Sequence, residues 1–470
     1  MIVSLAVSVF GPIIVAYLLL RHSCPEADDS PSLLVAMVCL AVGMGLGLAS
    51  CVFFLHLLIP GLAGGPFVMM ETAVLAGSAA VLWGALRERG KSIVPSRILE
   101  ELLTSDVRAL CLWSVLAIAC LTFLLLSLAQ PHGRWDAWAV WNLRARFLVK
   151  GGENWQDGFS PLLDVPHLDY PLLVPGLIAR CWRYAGADVT VLPALISLLF
   201  TLATIGLTAS ALSLLRGRDQ ALVACLLLVG TPFYFLHGTT QYADVHLAFY
   251  ILATLVLICL HDKGPGERRP LMILAGTMAG LAGWTKNEGL LFFVAIVAAR
   301  LVIVAHSRGW QPSLRTMLPF TTGALVPLVM IVLFKGMLAP PNDLVAAQGA
   351  DSTLDALLDP SRHARVWWAL TTGILWFGNL AVPPTLVLAL YLYLSGTERD
   401  LASGPTTALL ALALMVVGYG LVYVTTPYPL HWHLQTSLDR LVLHLWPSLV
   451  VVLLLLTPPT EASALEGKSA

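Results

Sequence analysis

The chain has 470 residues, 58% hydrophobic and only 12% charged, with a net charge of −1. An ordinary soluble domain carries about 25% charged residues. Together with a mean hydropathy of +0.81, these values exclude a soluble enzyme, a disordered chain and an electrostatic nucleic-acid binder, which needs a basic excess. What remains is an all-α polytopic membrane protein.

A spanning helix needs about 20 apolar residues. In chain order, runs of that kind lie at 2–20, 33–59, 66–86, 108–129, 190–214, 220–237, 244–261, 270–285, 288–306, 316–335, 372–394, 405–424 and 441–457. Two are short, so about 11–13 transmembrane helices are expected. The N-terminal Met-Ile-Val-Ser-Leu lacks the basic stretch of a signal peptide and reads as the start of the first span. Six of the eight cysteines lie within apolar runs and none forms a Cys-x-x-Cys pair, which points to small buried hydrophobes.

Basic residues set the orientation. With the loop holding Arg87, Arg89, Lys91, Arg97 and Arg108 placed in the cytoplasm, alternation puts Arg216/Arg218, Lys263/Arg268/Arg269, Arg308/Arg315 and Arg399 there too. The opposite, external side receives the loops at 60–65, 130–189, 238–243, 336–371 and 425–440. His132, His167, His237, His246, His363, His431 and His433 fall in or beside these loops. So do Asp136, Asp169, Asp244, Lys286, Glu288 and Asp439. Ionisable residues at membrane level are costly and mark functional paths. Their collection on one face predicts a single external site built from several loops.

Residues 130–189 form the longest interhelical segment. From Gly133 to Lys150 it reads as an amphipathic helix in the membrane interface, with Trp138, Trp141, Ala145 and Leu148 on one stripe and Arg144, Arg146 and Lys150 mostly off it. Asp136 sits between Trp135 and Trp138 at its start, where an acid is either a helix cap or a functional group. The segment continues through Asp164-Val-Pro-His-Leu-Asp-Tyr-Pro-Leu-Leu. Val174–Gly186, apolar but interrupted by Pro175, Arg180 and Arg183, reads as a second juxtamembrane helix.

An Asp soon after a helix, an Arg-containing juxtamembrane helix and then a Tyr-Pro-Leu-Leu segment together resemble the first external loop of the GT-C glycosyltransferases. The likeness is closest to the branch holding protein O-mannosyltransferases and the bacterial aminoarabinose transferase. Three further segments occur in the order of that family: Gln241-Tyr-Ala-Asp-Val-His, Gly283-Trp-Thr-Lys-Asn-Glu-Gly and Trp432-His-Leu-Gln-Thr-Ser-Leu-Asp-Arg-Leu-Val-Leu-His-Leu-Trp-Pro. The resemblance covers roughly 108–457. It sets this glycosyltransferase module apart from three additional helices and a cytoplasmic loop at 1–107 and a short cytoplasmic tail at 458–470. Many relatives carry two adjacent acids where this chain has Asp136-Ala137, so a paired-carboxylate metal site is not expected there.

The resemblance implies inverting transfer of a sugar from a polyprenyl-phosphate carrier to an acceptor hydroxyl on a glycan, lipid or protein. It implies a location in the bacterial cytoplasmic (inner) membrane, with the site on the external, periplasmic face. Such chemistry needs a carboxylate to accept the acceptor's proton, cations for the leaving phosphate and an apolar groove for the prenyl tail. By position, Asp136 is the expected base, with Asp244 the second catalytic candidate or an orienting partner. Asp169, Tyr170 and His246 are assigned to the sugar pocket, and Lys286 and Arg440 to the phosphate. Glu288 contacts the sugar or a metal. His431-x-His433, if extended, faces one way and with Asp439 or Glu288 offers a site for a divalent metal such as zinc. The rival readings are a lipid-linked glycan ligase or polymerase and a polytopic transporter or flippase. A transporter predicts charges near the midplane, broken helices and an inverted repeat, and none of these is evident in the sequence.

Overall fold

The computed structural model describes residues 2–23, 30–59, 66–89, 107–163, 165–264, 268–342, 350–398 and 401–458. Lys91, Arg97, Arg399, the 60–65 loop and all but the first residue of the expected tail lie outside them. The described residues fold into helices and loops without a strand. The helices are α1 (Ile2–Ser23), α2 (Pro31–Leu58), α3 (Phe67–Glu88), α4 (Val107–Ala129), α5 (Asn142–Lys150), α6 (Leu173–Ala185), α7 (Val191–Leu215), α8 (Arg218–Val229), α9 (Pro232–Thr239) and α10 (Asp244–Lys263). They continue as α11 (Arg269–Thr285), α12 (Asn287–Arg308), α13 (Trp310–Met337), α14 (Ala350–Leu358), α15 (Pro360–Leu375), α16 (Pro384–Ser395), α17 (Ser403–Thr425) and α18 (Leu430–Leu454).

Among the described residues, ten helices are long and apolar enough to cross a membrane, or eleven with α8 and α9 taken as one span bent by 60°. Eleven meets the low end of the expected number and ten falls one short of it, for identifiable reasons. The run at 372–394 is not one helix: α15 stops at Leu375, Gly378 and Asn379 take positive φ, and Pro383-Pro384 starts a new helix. The run at 270–285 is a 17-residue helix. The last helix starts at Leu430 rather than 441, so the expected external loop at 425–440 is mostly helical and Arg440 lies within α18.

The core surrounds α10, whose span is almost wholly enclosed, and α2 is the next most enclosed span. Small residues let α2 approach its neighbours: a Cβ on Gly43 would lie 2.1 Å from the Phe249 ring, and one on Gly45 2.5 Å from the Pro12 carbonyl oxygen. Tyr250 donates its hydroxyl to the Gly43 carbonyl at 2.9 Å, and Ser50 donates to the Leu172 carbonyl at 3.2 Å. In contrast α3 and α4 bury few of their residues, as lipid-facing helices should. A buried ion pair holds α3: Arg180 of α6 donates Nε to both Glu71 carboxylate oxygens at 2.9 Å and Nη1 to the Ser8 carbonyl of α1. The Tyr184 hydroxyl adds a third bond to Glu71 at 2.9 Å. The backbones of α11 and α13 also touch, since a Cβ on Gly276 would fall 1.8 Å from the Phe320 carbonyl oxygen.

Helix ends sort into two faces. Asp136, Asp244, Lys286 and Lys335 gather at one, while Arg216, Lys263 and Leu455 gather at the other.

Candidate functional site

Asp244 is the first residue of α10, where a carboxylate suits the positive end of the helix dipole. The preceding turn, with Gln241 at φ +61°, folds α9 back so that His237 lies beside it. Asp244 is fully buried and has four side-chain partners. Its Oδ1 meets Lys286 Nζ and His444 Nε2, both at 2.7 Å. Its Oδ2 meets His237 Nε2 and Arg440 Nε, both at 2.9 Å. Arg440 and His444 are one helical turn apart on α18, which is why both reach the same carboxylate.

Each cation bridges two acids. Arg440 Nη2 reaches Asp136 Oδ2 at 2.8 Å while its Nε holds Asp244. Lys286 Nζ bonds Glu288 Oε1 at 3.0 Å besides Asp244. Tyr170 donates its hydroxyl to the same Glu288 oxygen at 3.4 Å, and Lys286 lies over its ring, 5.6 Å from the centroid. Burial and the Glu288 carboxylate raise the Tyr170 phenol well above its ordinary range, so it stays protonated and donates. Asp136, Arg440, Asp244, Lys286, Glu288 and Tyr170 thus form one chain of direct contacts drawn from five segments. Access varies along it: the Asp136, Arg440 and Glu288 side chains are 19%, 23% and 19% exposed, whereas Lys286 is 3% exposed and Asp244 is fully buried.

Asp136 is followed at once by a π-helical turn, Ala137–Trp141, that runs into α5. The wider turn shifts the register that a regular helix would keep. Trp141, Ala145 and Leu148 are buried as their spacing predicts, but Trp138 is exposed and Arg144 turns inward. Arg144 pins the return of the loop by donating to the Tyr170 carbonyl at 3.0 Å and the His167 carbonyl at 2.6 Å. The Tyr170 ring is sandwiched between His167 and Trp141, with centroids 4.5 and 5.9 Å away. The Asp136 N–H donates to the Tyr242 hydroxyl at 3.3 Å, which ties the first loop to the start of α10.

The other expected site residues stand apart from this chain. Asp169 Oδ2 accepts from Lys335 Nζ at 3.0 Å and from the amides of Asn287 and Asn342 at 2.8 Å each. Burial pushes its carboxyl up, but Asn342, Lys335 and Asn287 outweigh this and hold it below the usual aspartate range. His246 bonds the Tyr242 carbonyl through Nδ1 at 3.1 Å and packs on Phe200, with no bond to Asp244. His431 and His433 are helical rather than extended, so their side chains diverge by about 200°. His433 bonds the Thr426 hydroxyl at 2.8 Å. Among the described residues no three His, Cys, Asp or Glu side chains are grouped to hold a metal ion. Arg440 turns to Asp136 and Asp244 rather than to its neighbour Asp439.

Sequence reasoning did not single out His237 or His444 as partners of Asp244, nor Tyr419, whose hydroxyl meets His444 Nδ1 at 3.3 Å. It also passed over Lys335, Asn287 and Asn342. The usable signal for His444 was a histidine inside an apolar run, four residues after Arg440.

Over part of its length the chain is similar to a family of membrane glycosyltransferases of GT-C type, in keeping with the fold and with this polar cluster at one helix-end face. The matching sequence model is that of the dolichyl-phosphate-mannose-protein mannosyltransferase family, over residues 170–334. That stretch holds Tyr170, His246, Asp244, Lys286 and Glu288, while Asp136 precedes it and Arg440 follows it. No curated protein and no solved structure matches the chain.

Proposed function

We propose that the protein transfers a sugar from a polyprenyl-phosphate carrier to an acceptor hydroxyl at the external face of a bacterial inner membrane, with inversion at the anomeric carbon. The observation that carries this reading is the sharing of Arg440 between Asp136, which is partly open, and Asp244, which is buried and saturated. A base must reach the acceptor, so Asp136 takes that role. Asp244 already accepts from four partners and instead positions Arg440 and Lys286.

The donor phosphate docks on the open side of Arg440, whose guanidinium has N–H groups beyond the two that hold the acids. Engaging the phosphate loosens its grip on Asp136 and frees that carboxylate as the donor arrives. The acceptor hydroxyl then gives its proton to Asp136 while its oxygen attacks the anomeric carbon. The bond from that carbon to the phosphate oxygen breaks on the opposite side. Polyprenyl phosphate leaves with the electron pair, and Arg440, backed by Lys286, steadies its charge. Asp169, Tyr170, His246 and Glu288 belong to the wall and floor beneath the sugar, acting through the contacts described above.

An apolar cavity of about 240 Å³ lies between α15, α17 and α18, lined by Leu370, Leu412, Val416, Leu441 and Leu445. Tyr419 is also in its wall and bonds His444, the partner of Asp244. We assign the first isoprene units of the donor to this cavity, because it is apolar and abuts the polar cluster. The acceptor is a glycan, lipid or protein hydroxyl. A strain lacking the protein should accumulate a polyprenyl-phosphate sugar and lose one sugar from an envelope glycan, as read by lipid and glycan mass spectrometry. Unchanged lipid and glycan pools would overturn the reading.

A further inference from the structure

At the face opposite Asp244, a cavity of about 130 Å³ opens among the ends of α7, α10 and α18 and the start of α17. Its lining divides into two kinds of surface. Leu215, Leu455, Cys259 and Pro405 form apolar walls, and Arg216, Lys263 and Glu398 supply the charge. Arg216 Nη2 donates to Glu398 Oε2 at 2.6 Å and to the Leu455 carbonyl, yet its Nε is buried without an acceptor. Lys263 Nζ donates to the Leu214 carbonyl at the end of α7. Arg268 folds back over Gly264 next to it and adds a third cation. Asp262, on the same turn, is already neutralised by Arg300 through two bonds of 2.6 and 2.8 Å.

Caps on helix ends account for the carbonyl bonds of Arg216 and Lys263. They do not account for Arg216 and Lys263 sharing one cavity with a single lining carboxylate, or for the unpartnered guanidinium N–H beside it. An unspent guanidinium N–H and, among the described lining residues, two cations to one carboxylate next to apolar walls at a membrane helix end match the phosphate of a lipid headgroup with its acyl chains alongside.

We propose that this cavity binds the phosphate of an anionic membrane lipid, held by Arg216 and Lys263, at a second lipid site separate from the Asp136–Asp244 cluster. Glu398 competes with the phosphate for Arg216 and so sets the affinity.

The test uses the full chain purified in a neutral detergent and follows thermal unfolding during titration with phosphatidylglycerol, phosphatidylcholine or inorganic phosphate. Phosphatidylglycerol should raise the midpoint, and the other two should not. Lys263→Gln should raise the half-effective phosphatidylglycerol concentration at least about tenfold, the worth of one charge-assisted hydrogen bond. Glu398→Gln should lower it. Arg216→Gln repeats the first variant, and Lys263→Gln stands alone if that protein fails to fold. An equal response in wild type and Lys263→Gln would overturn the site. An equal effect of inorganic phosphate would overturn the lipid as its source, and an equal effect of phosphatidylcholine would overturn recognition of the anion.

Discussion

Two buried charge networks lie in this bundle, and they are built for different ends. Around Glu71 and Arg180 the bonds made all run inward, and only Nη2 of the guanidinium is left without a partner. The guanidinium grips both oxygens of one acid and a backbone carbonyl, and Tyr184 closes the remaining side. Around Asp244 the cations are divided. Arg440 and Lys286 each serve two acids, and two of those acids, Asp136 and Glu288, are partly open. A buried ion pair is therefore not by itself a mark of function. What separates the two is an accessible end: a network that finishes on a partly exposed acid and cation can hand charge to a substrate, while a closed one can only hold helices together.

Substitutions can break or sharpen this contrast. The largest effect is expected from Asp244→Asn, which removes the buried counter-charge shared by Arg440 and Lys286. Breaking such a pair costs about 3–5 kcal/mol, so thermal stability in detergent and sugar transfer should fall together. An unchanged melting midpoint would show that Asp244 does not hold the cluster. Asp136→Asn should instead separate the two readouts. Transfer should fall by about 10²- to 10⁴-fold, the usual worth of a general base, with the midpoint close to wild type. Near-normal turnover would remove Asp136 as the base.

Glu71→Gln should do the opposite. It leaves Arg180 uncompensated at a cost of about 3 kcal/mol or more and loosens α3, while transfer per folded molecule stays near wild type. Glu71→Leu combined with Arg180→Met should recover stability, and a lasting loss of transfer in that double variant would mean the closed network also shapes the site. The smallest effect concerns acid. The Asp169 carboxyl lies below the usual aspartate range in the folded protein. Its contribution to stability is therefore complete above about pH 4, the ordinary aspartate value, and fades as pH falls through the lower folded value. Pepsin cleavage ahead of α6 should rise across that acid window in the wild type. In Asp169→Asn it should vary less with pH, and an identical pH profile would contradict the role of the Lys335 and asparagine contacts.

The convergence of Asp136, Asp244, Lys286 and Arg440 was legible in the sequence, because hydropathy sorts helix ends onto two faces and few charges fall on this one. Partners inside the spans were harder to see. His444 sits in Leu-Val-Leu-His-Leu-Trp-Pro, where an isolated histidine reads as an ordinary buried ring unless the helix is known to begin far enough back to carry Arg440 as well. The π-helical turn after Asp136 leaves no trace in composition, so a regular period put Trp138 on the buried stripe and Arg144 off it. Asp169 was visible as an acid beside Tyr170. Its partners Lys335 and Asn342 come from more than 160 positions later in the chain, and no local pattern joins them.

The position of α2 bears on how the bundle is assembled. In the chain it precedes α6, α10 and α11, and it supports Leu172 ahead of α6, Tyr250 in α10 and, through Ser50, the indole of Trp284 at the end of α11. Membrane helices enter the bilayer in order as the chain grows, and early segments can form a surface for later ones. On that schedule α2 is a template that waits in the lipid for the helices carrying Asp244 and Lys286. Fixing its small-residue surface would then govern the yield of correctly assembled enzyme, even though no side chain of α2 touches the reacting groups.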